Sequence, residues 1–315
     1  MRYNFGVETK TMKPTYHPFL HRFAVFTVLW TVLLLVAGAL VTSNAAALSV
    51  LDWPKSHGAW IPAQITGGDV YEYSHRVVAG VLGVLTLFLT VLVWLKDERR
   101  WLRWFTVIAL GGIVAQAVLG GEVVIQFLHY WLPVWHACFA QIMFGALLSI
   151  AVFTSKWWTT DRPQLEDHGS PSIHSLAILN AVVIFLQVFL GAGFRHFEMP
   201  IWPHAAGSLF VLTTVIWTAV VLRKRFEKSP ELTKMRILLH SVFGLQFLLG
   251  IGAYWSRLAT AQSIRPMPVM VTLTVIHTVV GALLFAVSIL TILLSYRLIP
   301  RAGAVTVSSQ GRVTI

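Results

Sequence analysis

Four histidines carry the chemistry open to this sequence: His75, His136, His204 and His277. Each lies in or at the start of an apolar stretch, and they fall into two matching pairs. His75 precedes Gln116 by 41 residues and His204 precedes Gln246 by 42. His136 and His277 follow at corresponding places. A lone imidazole in an apolar helix is commonly a hydrogen-bonded packing residue. Four of them, paired and at similar depth, point to ligands, because ionisable groups inside a membrane are costly and default to function. No His-x-x-x-His pair or carboxylate cluster accompanies them, so the spacing does not suit zinc. Two histidines on facing helices can supply both axial ligands of a haem iron. The residues thus offer two haem-sized sites, His75 with His136 and His204 with His277. Of the remaining histidines, His17, His21, His168, His174 and His240 fall toward one side and His57, His129 and His196 in loops on the other. Surface or interfacial roles are expected for these.

The two sites are not equivalent. The first reads Glu72-Tyr73-Ser74-His75-Arg76, the second Ile201-Trp202-Pro203-His204-Ala205. Positions i and i+3 share a helix face, so Glu72 would sit at the edge of whatever His75 binds. A carboxylate there suits a general base or the stabilisation of a developing cation. It also suits a helix start, where the dipole favours an acid. Arg76 is a candidate partner for a haem propionate, for Glu72 or for the interface. Glu122 is a secondary candidate, because its counterpart in the other half is Gly252. From Gly38 to His75 is 37 residues, against 13 from Gly191 to His204. The longer first connection has the length of a lid or binding loop. The residues alone therefore suggest one haem cofactor and one haem-like reactant.

The elements that position these groups are membrane helices. The chain has 315 residues, 56% hydrophobic and only 12% charged, with a mean hydropathy of +0.71. Soluble domains carry about 25% charged residues, so a water-soluble enzyme and a disordered chain are both excluded. The single cysteine excludes an intramolecular disulfide, a cysteine-type zinc site and an iron–sulfur cluster. Eight stretches reach the roughly 20 apolar residues that a span requires: 23–41, 77–95, 102–124, 133–153, 173–194, 204–222, 236–255 and 269–295. The first is too long for a signal-peptide core and reads as a retained helix, despite the Ala45-Ala46-Ala47 sequence after it.

With the N-terminus inside, 19 of the 24 Lys and Arg residues fall in inside segments. This asymmetry predicts an N-in, C-in topology and accounts for the net charge of +11 without nucleic acid. His75, His136 and His204 then lie near the outer ends of their spans, and His277 about 12 Å into its own. Gln116-Ala-Val-Leu-Gly120, Gln187-Val-Phe-Leu-Gly191 and Gln246-Phe-Leu-Leu-Gly250 repeat along the chain, with Val36-Ala37-Gly38 a fainter copy. Helix packing is the preferred reading of these repeats. A repeat of four spans keeps its orientation, so the expected fold is all-α integral membrane, eight transmembrane helices as two pseudo-twofold-related four-helix bundles. The expected division is a cytoplasmic N-terminal segment 1–22; an N-terminal bundle 23–154 with the first histidine site and the long outer loop 42–74; a cytoplasmic linker 155–172; a C-terminal bundle 173–296 with the second histidine site; and a disordered cytoplasmic tail 297–315.

Glu72-x-x-His75-Arg76, the loop Leu48-Ser49-x-x-Asp52-Trp53-Pro54-x-x-His57-Gly58, and the paired His136 and His277 resemble the haem A synthases. The likeness runs over nearly all eight spans, and the loop with the Glu-x-x-His-Arg motif is its specific part. It implies oxidation of the C8 methyl of haem O to a formyl group by successive hydroxylations, the product serving cytochrome oxidase. By the same likeness His204 and His277 hold a haem b cofactor, His75 and His136 address the substrate haem, and Glu72 is catalytic. Implied partners are haem O as substrate, the lipid bilayer and, from the order of biosynthesis, haem O synthase and cytochrome oxidase assembly factors. Nucleic acid is not among them, and a homo-oligomer is compatible with the sequence. The bacterial plasma membrane is expected, as the N-terminal residues lack a transit-type composition. Many members carry a cysteine pair at the positions of Val50 and Ser56, so this chain resembles a cysteine-free branch. Its one cysteine, Cys138, is expected to be buried packing. The rival readings are a quinol-linked dihaem b-type electron carrier and a non-enzymatic haem transporter or chaperone.

Overall fold

The computed structural model describes residues 15–300. Most of the N-terminal segment and the tail from Arg301, expected to be disordered, lie outside the described residues. Eight helices are long and apolar enough to cross a membrane: α1 (Pro18–Ser43), α2 (Asp69–Lys96), α3 (Arg100–Ile125), α4 (Leu132–Phe153), α6 (Ile173–Arg195), α7 (Ile201–Phe226), α8 (Pro230–Ala259) and α9 (Pro268–Leu298). A short helix, α5 (Lys156–Thr159), lies between α4 and α6. The chain is a multi-pass membrane protein.

The helices begin where local chemistry lets them. Proline opens α1, α8 and α9, where its missing N–H costs no helical bond. Ser172 and Ser229 accept from the first-turn amides of α6 and α8. The helices outrun the apolar stretches. The second span was expected from residue 77, yet α2 starts at Asp69, with Asp69 and Glu72 in its first turn. Acids there complement the dipole although they lower hydropathy. His75 therefore lies within α2, not at its opening.

Each half closes into a ring. α1 packs on α2, α2 on α3, α3 on α4 and α4 on α1; α6, α7, α8 and α9 do the same. The seam between the rings is made by α1 with α9, α4 with α9 and α4 with α6. It is built of small and aromatic residues. Phe144 of α4 meets Ala282 and Ala286 of α9 beside Val32 of α1. Cys138, buried as expected, packs with Val134 and Ala192 among Trp131, Phe185 and Phe189. Such contacts hold membrane helices together by van der Waals packing rather than by expulsion of water.

The outward faces carry exposed apolar side chains such as Leu29, Leu95, Ile108 and Leu248, as a lipid-facing surface must. Several buried hydroxyls are satisfied within their own helices: Thr31 donates to Thr27 O at 2.8 Å and Thr86 to Leu82 O at 2.8 Å.

The two ends of the molecule differ. One carries the long loop 44–68 between α1 and α2; the other carries the connection between α4 and α6. That connection is an ordered strap. Leu165 N–H donates to Leu298 O at 2.8 Å, Arg297 to Thr160 O at 2.7 Å, and Asp167 accepts from the Ile173 amide at 2.7 Å and pairs with Arg225 at 3.2 Å.

Candidate functional site

Connectivity sends α2, α4, α7 and α9 inward from the loop end. The four histidines sit three to nine residues into these helices, or about 5–14 Å at 1.5 Å per residue. Opposite each ring is a glycine on the preceding membrane helix. A methyl group on Gly38 would stand 3.1 Å from His75 Cε1; on Gly120, 2.8 Å from His136; on Gly191, 2.8 Å from His204; on Gly250, 3.0 Å from His277. Real side chains rarely tolerate such distances, so glycine is required for the ring to lie there.

The glutamines of the repeat complete the arrangement. Gln116 Nε2 donates to His136 O at 3.0 Å and Gln187 Nε2 to His204 O at 2.8 Å. Gln246 Nε2 stands 3.5 Å from His277 Nε2. The Gln-x-x-Leu-Gly repeat, expected to serve generic helix packing, thus packs specifically against the histidine-bearing turns. Leu34 stands where His75 would have its glutamine, and Gly38 remains.

In all four rings Nδ1 is buried with no protein partner. A buried polar atom left unpaired costs about 1–3 kcal/mol, and four alike do not arise as packing accidents. A metal-binding imidazole needs a free ring nitrogen. The His204 and His277 ring centres are 6.3 Å apart with planes at 87°. An ion bonded to both at about 2.0 Å fits between rings so separated. These residues therefore fit bis-histidine haem ligation. Among the described residues no cluster of three or more His, Cys, Asp or Glu exists.

Glu72 is 4% exposed and is engaged with the long loop. Its Oε2 accepts from the Val50 amide at 2.9 Å, and its Oε1 from Arg76 Nη2 at 2.5 Å. Arg76 fans out over the same loop: Nη2 donates to Val50 O at 2.9 Å, and Nη1 to Asp52 O at 2.6 Å, Lys55 O at 2.8 Å and Ser56 Oγ at 3.3 Å. Of the three partners the sequence left open for Arg76, the structure shows Glu72. Val50 and Ser56, the positions without cysteine, are both buried and both bonded to this acid–base pair. Trp53 packs its ring against Gly121, where a methyl group would stand 2.6 Å from Cδ2.

The loop also has ties of its own. Asp52 accepts from the His57 and Gly58 amides, each at 2.8 Å. The Gly58 bond foremost, with help from His57 and Arg76 against some burial, holds its carboxyl below the usual carboxylate range. His57, expected to be a surface residue, reaches Asp69 Oδ2 at 3.0 Å. Glu122 stands apart, accepting from Gln126 at 2.7 Å. At the end of α6, sequence reasoning assigns no role to Arg195 and a loop position to His196. Arg195 crosses the seam to α1, and His196 is half-buried near it. Burial first, then the charges of Arg195 and His136, push the His196 imidazole down to about 4. The one signal in the sequence is a cation closing an apolar span, Arg195 directly after the stretch that ends at residue 194.

Comparison with known proteins shows what the chain is similar to. Residues 68–200 match the family model COX15-CtaA, described as cytochrome oxidase assembly protein. A haem A synthase of Lysinibacillus sphaericus is 30% identical over 195 residues, 59% of this chain and 62% of that protein. One of Geobacillus thermodenitrificans is also 30% identical over 195 residues, 59% of this chain and 60% of that protein. One of Bacillus licheniformis is 23% identical over 261 residues, 74% of this chain and 85% of that protein. The match thus spans about three fifths of the length of the first two relatives. Over these residues the chain is similar to haem A synthases and to the cytochrome oxidase assembly protein family.

Proposed function

We propose that the protein is itself a haem A synthase, oxidising the C8 methyl of haem O to a formyl group. The observation that carries the reading is the asymmetry between two otherwise matched histidine pairs. Only the first pair has a buried acid, Glu72, tied to a loop over its site. A plain pair of electron-transfer sites has no use for that difference.

In this reading His204 and His277 hold a haem b cofactor, and His75 and His136 hold the substrate haem O. Bound haem b supplies one-electron redox chemistry at the second site. The chain's own residues supply placement and proton transfer. Gly38 and Gly120 seat the substrate-side rings. Arg76 and the Val50 amide fix the two Glu72 oxygens, and a carboxylate so fixed accepts protons released as the methyl C–H bonds are oxidised. The loop over it, pinned by Arg76 and Asp52, restricts water at the reacting edge. Arg76 remains a candidate propionate contact, and Glu122 a secondary contact with no present support beyond its position.

The two rings are related by a pseudo-twofold axis along the membrane normal. In support, such an axis would exchange α1 with α6 and α4 with α9. It would turn the α1–α9 contact into the α6–α4 contact and keep α4 against α9. The loop end faces outward and the basic strap end inward, in a bacterial plasma membrane, as the charge asymmetry predicts. The activity is tested with Glu72→Gln and Glu72→Ala in a host that makes haem O. Both variants should retain haem b, and haem A yield should fall sharply, further for Ala, which also frees the Val50 amide. An undiminished yield in both would remove Glu72 from the reaction.

A further inference from the structure

Arg195 is the last residue of α6, and its side chain leaves its own helix for two others. Nη1 donates to Thr278 Oγ1 of α9 at 2.6 Å; Nη2 donates to Ala39 O and Ser43 Oγ of α1, each at 2.8 Å. Two of the three contacts adjoin the histidine sites. Thr278 follows His277. Ala39 follows Gly38, the residue beneath His75. Arg195 itself is one turn beyond Gly191, the residue beneath His204. The guanidinium is thus the polar link, across the seam, between the second-half histidine pair and the first-half site.

Its charge is not cancelled. All three acceptors are neutral, and among the described residues no carboxylate lies within ion-pair distance of it. One of the acceptors, Ala39 O, is a carbonyl in the last turns of α1, where the helix dipole places partial negative charge. Another cation, Arg257, lies over the rings of Phe194 and Phe197, 5.0 Å from each centre. A cation without a counter-ion in a membrane protein is expensive, and a neutral residue could make similar hydrogen bonds at less cost. A fixed positive charge beside a haem favours the reduced iron, which carries one positive charge fewer, and so raises its reduction potential.

We propose that Arg195 is a positioning residue that ties the two histidine sites across the seam and whose fixed charge raises the reduction potential of the haem held by His204 and His277. The proposal rests on the haem b reading above. The experiment is a redox titration of the purified full-length protein, followed by the haem absorbance, in the wild type, Arg195→Gln and Arg195→Lys. The expected result is a wild-type bis-histidine spectrum in all three, a potential shifted downward in the Gln variant, and a potential near wild type in the Lys variant. An unshifted potential in the Gln variant overturns the proposal. Should that variant fail to fold, Ser43→Asp keeps the guanidinium and places a carboxylate beside it; the same downward shift is expected, and its absence overturns the proposal. Failure of the underlying reading looks different. A wild type without haem b, or a spectrum that survives both His204→Ala and His277→Ala, removes the cofactor before Arg195 is altered.

Discussion

At the scale of single residues, the four glycines beneath the histidine rings make a sharp prediction. Gly250→Ala places a methyl group 3.0 Å from His277 Cε1, and a ring wedged between helices cannot retreat without tilting. Haem b content of the purified protein should fall several-fold, read by the pyridine haemochrome. Gly83→Ala is the control. A methyl group there meets nothing within 4 Å, so haem content should hold and stability should rise by up to about 1 kcal/mol from helix propensity. Equal haem content in the two variants would refute the role given to the glycines. The histidines themselves were legible in the sequence, because type, spacing and repetition marked them. Their glycine seats were visible only as a repeat, since which residue faces a ring depends on helix rotation. The Glu72–Val50 bond was not legible at all, as no periodicity registers a contact between a loop amide and a helix 22 positions on.

At the scale of elements, the loop 44–68 is held by charge, and its order should depend on pH. Asp52 titrates below the usual carboxylate range because the Gly58 and His57 amides stabilise its ionised form. The sign follows. Its contribution is complete above the ordinary carboxylate pKa of about 4 and is lost as pH falls through the lowered native value. Hydrogen exchange of the His57 and Gly58 amides, corrected for the intrinsic pH dependence, should show protection decline at acidic pH. In Asp52→Asn that acid transition should disappear. An unchanged transition in the variant would assign the dependence elsewhere. Helix boundaries were read less well than helix existence. Hydropathy marks the greasy stretch, while α2 begins earlier at residues chosen for capping and chemistry.

At the scale of the whole molecule, the seam joins the two four-helix rings, and the charge pattern predicts which side of the membrane the histidines face. Cys138 is buried in α4, so single-cysteine labelling is feasible. Lys55→Cys in the loop should react with an impermeant maleimide in intact cells. Lys228→Cys between α7 and α8 should react only after permeabilisation. The reverse pattern would invert the proposed orientation. The eight helices and the two-part repeat were readable from apolar length and motif spacing. The seam contacts of Arg195 were not, because they join residues more than 150 positions apart. The measurement that tests the central claim most directly is pigment extraction. The protein is expressed in a host that makes haem O but no haem A, purified, and its haems are separated by chromatography. The account predicts haem A beside haem b. Haem b alone, with haem O present in the membranes, would contradict it and leave a dihaem electron carrier.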